Sequence, residues 1–111
     1  MATPHYQIIN DKIMSDELAI ISHYGLKNQV KKLNEEVYEL CEAEHIFLTS
    51  KANGATDKTA LENIVSEMAD CMVLIEQLRQ YHDIQPDTLR KEYDFKITRQ
   101  MARIMNEKKE L

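Results

Sequence analysis

Apolar residues recur at intervals of three and four along most of this chain, the period of an α-helix rather than of a strand. Over about 26–48 they fall at Val30, Leu33, Val37, Leu40, Cys41 and Phe47. Over about 59–82 they fall at Leu61, Ile64, Met68, Cys71, Leu74, Ile75 and Leu78, before Asp83 and Pro86 break the pattern. A third series, Leu89, Tyr93, Ile97, Met101 and Ile104, starts near Asp87 and runs into the solvated tail Glu107, Lys108, Lys109 and Glu110. A shorter helix is predicted from about Asn10 or Ser15 to Tyr24, where Gly25 ends or bends it. The first ten residues read as irregular. Residues 49–57 collect small polar residues and an Asn-Gly pair, which predicts a loop with Asp57 or Thr59 as the next helix cap.

These segments predict an all-α, four-helix bundle-like fold in a single domain over residues 1–111, the length of one core. The composition agrees, with 43% hydrophobic and 30% charged residues and only two Gly and two Pro. So small a bundle buries a modest share of its surface, so pairing of apolar faces in a homodimer or homotetramer is expected to complete it. The formal charge of −5 opposes sequence-independent binding to nucleic acid, which depends on Lys and Arg neutralising phosphates. No apolar run is long enough for a membrane span, and the start Met1-Ala2-Thr3-Pro4-His5 lacks the pattern of a secretory signal, so a cytoplasmic protein is expected. Cys41 and Cys71 form no CxxC pair and read as small core residues.

Chemistry enters with the acidic residues. The second helix carries Glu35-Glu36-Val37-Tyr38-Glu39 and the third carries Glu67-Met68-Ala69-Asp70. Positions i and i+3 lie roughly 60° apart on a helix, so Glu36 with Glu39, and Glu67 with Asp70, each point one way and can share a cation. Projection also places Glu36 between Ala43 and Phe47, and Glu67 between Leu74 and Leu78, each about 20° away. Two carboxylates therefore lie inside apolar stripes. Counted from Glu36 and from Glu67, both helices place apolar residues at the same offsets, from Val30 and Leu61 through to Phe47 and Leu78. Packed antiparallel through those stripes, the helices would gather four carboxylates in a partly dry site, where unpaired charge is costly and a hard cation compensates. Oxygen-only ligands suit Mg²⁺ or Mn²⁺, and Mg²⁺ shares its sphere with substrate phosphates. The ordinary alternative is surface ion pairing of Glu35 and Glu39 with Lys31 and Lys32. Glu42-Ala43-Glu44-His45 has the Glu-x-x-His spacing of di-iron bundles, but the motif occurs once and His45 projects about 180° from Glu36, which makes it an exposed or interface residue.

The run Gln29-Val30-Lys31-Lys32-Leu33-Asn34-Glu35-Glu36-Val37-Tyr38-Glu39-Leu40, followed by Glu67-Met68-Ala69-Asp70-Cys71-Met72-Val73-Leu74, resembles the all-α nucleoside triphosphate pyrophosphatase superfamily, and its small MazG-like proteins in particular. The resemblance spans most of the chain, from Tyr24 to Ile104. It implies a MazG-type fold and Mg²⁺-dependent cleavage between the α- and β-phosphates of a nucleoside triphosphate, releasing the monophosphate and pyrophosphate. Carried over by position, Glu36, Glu39, Glu67 and Asp70 would be metal ligands. Glu35 would support them or orient the attacking water, a role that Glu39 could also fill. Lys96, Arg99 and Arg103 border the apolar face of the fourth helix within about 60° of one another and are candidates for holding pyrophosphate, unless they form a solvated stripe paired with Glu92. Gln29 and Lys32 are weaker candidates for substrate contact. The inter-helix loop is long for the family, no Trp is present to stack a base, and the dimeric dUTPase branch looks longer than this chain. A phosphoribosyl-ATP pyrophosphohydrolase-like enzyme is a variant within the superfamily. A non-catalytic helical interaction module is the alternative from another class.

Overall fold

A computed structural model of the chain describes residues 6–9, 12–52 and 58–110. Strand β1 (Tyr6–Ile9) pairs antiparallel with β2 (Lys12–Ser15), with Tyr6 opposite Ser15 and Ile9 opposite Lys12. Four helices follow: α1 (Asp16–Tyr24), α2 (Leu26–Ala52), α3 (Lys58–Tyr81) and α4 (Pro86–Glu110). The all-α, four-helix architecture expected from periodicity is present, with a small hairpin in front of it. That hairpin corrects the irregular reading of the N-terminus and the earlier of the two starts allowed for the first helix. Ser15 is the cap: its side-chain oxygen accepts the Leu18 N–H at 3.1 Å, satisfying one of the helix's orphan donors. Of the two caps expected for α3, Thr59 lies inside the helix and Asp57 falls outside the described residues.

Gly25 joins α1 to α2 without a loop. Its φ of 90° lies where side-chain-bearing residues are strained, and its N–H closes α1 on the Ile21 carbonyl at 2.8 Å. α3 ends in a comparable way at Asp83 (φ 53°), with the Ile84 N–H reaching back to the Arg79 carbonyl at 3.0 Å and Pro86 opening α4. Arg79 secures this corner, donating from Nε to both Glu76 carboxylate oxygens and from Nη1 to the Ile84 carbonyl at 2.7 Å.

α2 and α3 pack against each other as an antiparallel pair, and α1 lies mainly on α3. Their seam follows an alternation of three and four: Gln29, Leu33, Glu36, Leu40, Ala43 and Phe47 on α2, and Ala60, Ile64, Glu67, Cys71, Leu74 and Leu78 on α3, all buried or half-buried. The remaining apolar positions form a second stripe on each helix. Val30, Val37 and Cys41 on α2, and Leu61, Met68 and Met72 on α3, are exposed. Both sets project about 100° to 140° from the buried Glu of their own helix, and antiparallel packing turns them toward one face of the pair. Cys71 is buried as expected, whereas Cys41 belongs to the exposed stripe and is not a core residue.

α4 contributes no comparable packing. All its described side chains are exposed, and the radius of gyration is 18.6 Å against about 13 Å for a compact chain of this length. The apolar series Leu89, Tyr93, Ile97, Met101 and Ile104 is thus real as a stripe, but its side chains stay exposed, with Leu89 alone of them lining a small cavity against Ile75 and Leu78 of α3 among the described residues. Stability rests on α1, α2 and α3. Ile21 is fully buried where α1 meets the pair, so Ile21→Ala is expected to cost about 2–4 kcal/mol in urea unfolding, and a loss below about 1 kcal/mol would show that α1 is not part of the core.

Candidate metal centre

Because Glu36 occupies a seam position, α2 cannot bury its apolar stripe without burying a carboxylate. Its residue is only 5% exposed. On α3, Glu67 takes the matching place and Asp70 follows one turn on, and oxygens of Glu36, Glu67 and Asp70 all lie within 4.8 Å of one another. Glu67 is half-buried and Asp70 exposed, so the cluster sits at the edge of the seam and opens to solvent. One oxygen of Glu36 accepts from Lys32 at 3.1 Å. The other, Oε2, is buried with no hydrogen-bond partner, and so is Oε2 of Glu67. Two orphaned carboxylate oxygens facing a shared space are costly, since each has lost its hydration.

Like charges at this spacing move one another's titration. Lys32 holds the Glu36 carboxyl below its usual range through a hydrogen bond that outweighs desolvation. Glu67 is pushed up by burial first and by Glu36 second. Glu39 is pushed up chiefly by the Glu36 carboxyl beside it, an effect that Glu67 and Lys32 partly offset. One carboxylate of the group is thus fixed as an anion while two resist ionisation. A divalent cation would remove that resistance, and three convergent oxygens with open positions beside them form a donor set suited to a hard ion.

The structure places the remaining sequence candidates less uniformly. Glu39 adjoins the triad from the next turn of α2. Glu35 is exposed and lines a separate cavity of about 470 Å³ with Tyr24, Asn28, Gln29, Lys31 and Lys32. Gln29 is buried and donates from Nε2 to the Gln77 carboxamide oxygen at 2.8 Å, so it acts first as a polar layer of the seam. Lys96 pairs with Glu92 at 3.6 Å, Arg99 lies over the Phe95 ring at 6.0 Å, and Arg103 is exposed on the same helix. None of these three lines either cavity beside the carboxylates, and α4 makes no extensive packing with α2 or α3 among the described residues. His45 is exposed, as its projection requires. A cavity of about 340 Å³ borders the other end of the cluster, between Glu39 and Glu67 and against Ala43, Ile46, Ala60 and Asn63. Sequence reading passed over Asn63, which has no spacing signature and is marked only by lying one turn before Glu67.

No protein-family model, curated protein or solved structure matches the chain.

A raised carboxyl pKa means that the folded state holds its proton more tightly than the unfolded chain. The contribution of Glu67 and Glu39 is therefore fully present below the ordinary value of 4.5 and is lost as pH climbs through the raised values. Glu36 works in the opposite sense, its contribution being lost on acidification through its lowered value. At neutral pH and without divalent ions, Glu67→Gln is expected to raise Tm by roughly 2–5 °C by relieving charge repulsion, and to abolish further stabilisation by added Mg²⁺. A variant that melts lower than the wild type would contradict the repulsion, and one that Mg²⁺ still stabilises fully would remove Glu67 from the ligand set.

Proposed function

We propose that this chain is a cytoplasmic, Mg²⁺-dependent nucleoside triphosphate pyrophosphohydrolase of MazG-like type, splitting the α–β phosphoanhydride to leave a nucleoside monophosphate and pyrophosphate. The observation that carries the reading is the buried, unpartnered Glu36 oxygen facing Glu67 and Asp70 across two antiparallel helices. Structural ion pairs satisfy their members, whereas this cluster leaves two carboxylate oxygens without a partner. Mg²⁺ (Mn²⁺ in its place) would neutralise charge on the phosphate oxygens and activate the attacking water.

The chain's own residues then divide the work. Glu36, Glu67 and Asp70 hold the ion, and Glu39 completes the set from the margin. Lys32 lowers the Glu36 carboxyl and so favours its anionic, ligating form. Glu39, whose carboxyl is raised chiefly by Glu36, would take a proton from water on the open side. Glu35 stands in the neighbouring basic cavity and fits a supporting role better than a ligand's. The substrate class is the one that the motif resemblance implies, and the flanking cavities of about 340 and 470 Å³ are of small-molecule size.

The exposed stripes supply the oligomer. Val37 (45% exposed), Met68 (46%) and Met72 (69%) present one apolar face of the α2–α3 pair, a surface that monomers seldom leave open. A homodimer or homotetramer that buries this face has room for the α4 stripe as well, and would be the way for Lys96, Arg99 and Arg103 to approach phosphates. The same exposed α4 favours one second reading, a helical interaction module without catalysis. That reading expects Glu36→Gln and Asp70→Asn to be silent.

The pyrophosphohydrolase reading expects monophosphate and pyrophosphate in equal amounts from at least one member of a ribo- and deoxyribonucleotide panel with Mg²⁺. Excess EDTA should abolish turnover, and Glu36→Gln or Asp70→Asn should lower kcat by about 100-fold or more at unchanged helicity. Release of orthophosphate instead of pyrophosphate, or turnover that survives EDTA, would sink it.

A further inference from the structure

The two cavities beside the carboxylates lie on one side of α2 and differ in charge. Measured around α2 from Glu36, Asn28, Lys31, Lys32 and Glu35 fall at about −40° to −140°, and Glu39, Ala43 and Ile46 at about −20° to −80°. Both cavities therefore open on the same face of α2, one toward each end of the cluster. The cavity toward the α2 N-terminus is lined by Lys31 and Lys32 with Glu35. The other has no cation in its lining, and is walled by Ala43, Ile46 and Ala60 beneath Asn63, with Glu39, Glu42 and Glu67 around the rim.

We infer that a nucleotide lies across this face in one direction, with its phosphate tail toward Lys31 and Lys32 and its nucleoside in the Ala43–Ile46–Ala60 cavity, where Asn63 reads the base. The inference rests on the pyrophosphohydrolase reading and adds the orientation and a specificity residue to it. Charge decides the direction. A triphosphate tail carries about four negative charges and, past the ion and its ligands, would meet Glu42 and no ammonium or guanidinium group at the Asn63 end. At the other end two ammonium groups outnumber the single Glu35 carboxylate, and Lys32 already pairs with Glu36 at 3.1 Å, which sets it beside the cluster. A nucleoside is neutral and half apolar, so small aliphatic walls suit it. The Asn63 carboxamide offers both a donor and an acceptor, as the edge of a nucleobase requires. Length also fits, since Lys32 to Ala43 spans eleven residues, roughly 16 Å of helix, about the reach of an extended nucleoside triphosphate.

Product inhibition separates the two ends, because each product occupies one of them. Inhibition constants for the nucleoside monophosphate and for pyrophosphate are measured on the wild type, Asn63→Ala and Lys31→Ala, using the preferred triphosphate of the panel. Asn63 and Lys31 are both exposed, so neither variant should lose the fold, and circular dichroism checks this. Asn63→Ala should weaken inhibition by monophosphate about three- to tenfold, the effect of one neutral hydrogen bond, and leave pyrophosphate inhibition within about twofold. Lys31→Ala should do the converse. The opposite pairing would show that the nucleotide lies the other way, with its base against Tyr24, and unchanged constants in both variants would also overturn the orientation. A wild type inactive on every nucleotide would remove the underlying reading together with the inference, whereas normal turnover with either contrary pattern removes the inference alone.

Discussion

The structure depends on the burial of one carboxylate. Glu36 sits where an apolar residue would ordinarily close a helix pair, and the α2–α3 seam accommodates it with one ammonium partner on the surface and two further acids inside reach. Replacing such a residue by a leucine would give a better core. In the proposed cation site, its place in the seam would hold a charged ligand rigidly on a helix. The Gln29–Gln77 hydrogen bond one heptad away fits the same design. It ties the Gln29 amide nitrogen to the Gln77 carbonyl oxygen across the seam, fixes the register of α2 on α3, and so keeps Glu36 level with Glu67.

Around that axis the helix pair has unlike faces. One carries the carboxylates, the lysines and two cavities. The other presents Val30, Val37, Leu61, Met68 and Met72 to solvent. The exposed apolar stripe of the pair and the exposed side chains of α4 are the surfaces on which the proposed oligomer would form.

Much of this was legible in the residues. Periods of three and four mark α2, α3 and α4, Gly25 marks the α1–α2 corner, and projection puts Glu36 and Glu67 inside the seam. The hairpin leaves no helical period, although Tyr6, Ile8, Ile9 and Ile13 flank an Asn-Asp pair in the manner of paired strands. The exposure of Cys41 is not legible because each helix carries two apolar stripes, and spacing alone does not say which stripe turns inward. The α4 stripe raised the same ambiguity in another form, since amphipathicity states that a face seeks cover without stating whose. Asn63 left no trace in the pattern, as its interest comes from a cavity formed by two helices.

The central claim is that Glu36, Glu67 and Asp70 form a divalent cation site and not a charge cluster left in a core. Electron paramagnetic resonance of Mn²⁺ titrated into the protein tests it without reference to any substrate. The account expects saturable binding at one or two ions per chain, displaced by Mg²⁺ and lost in Glu36→Gln at preserved helicity. Mn²⁺ binding that is equally tight in the wild type and in Glu36→Gln, or absent from both, would contradict it.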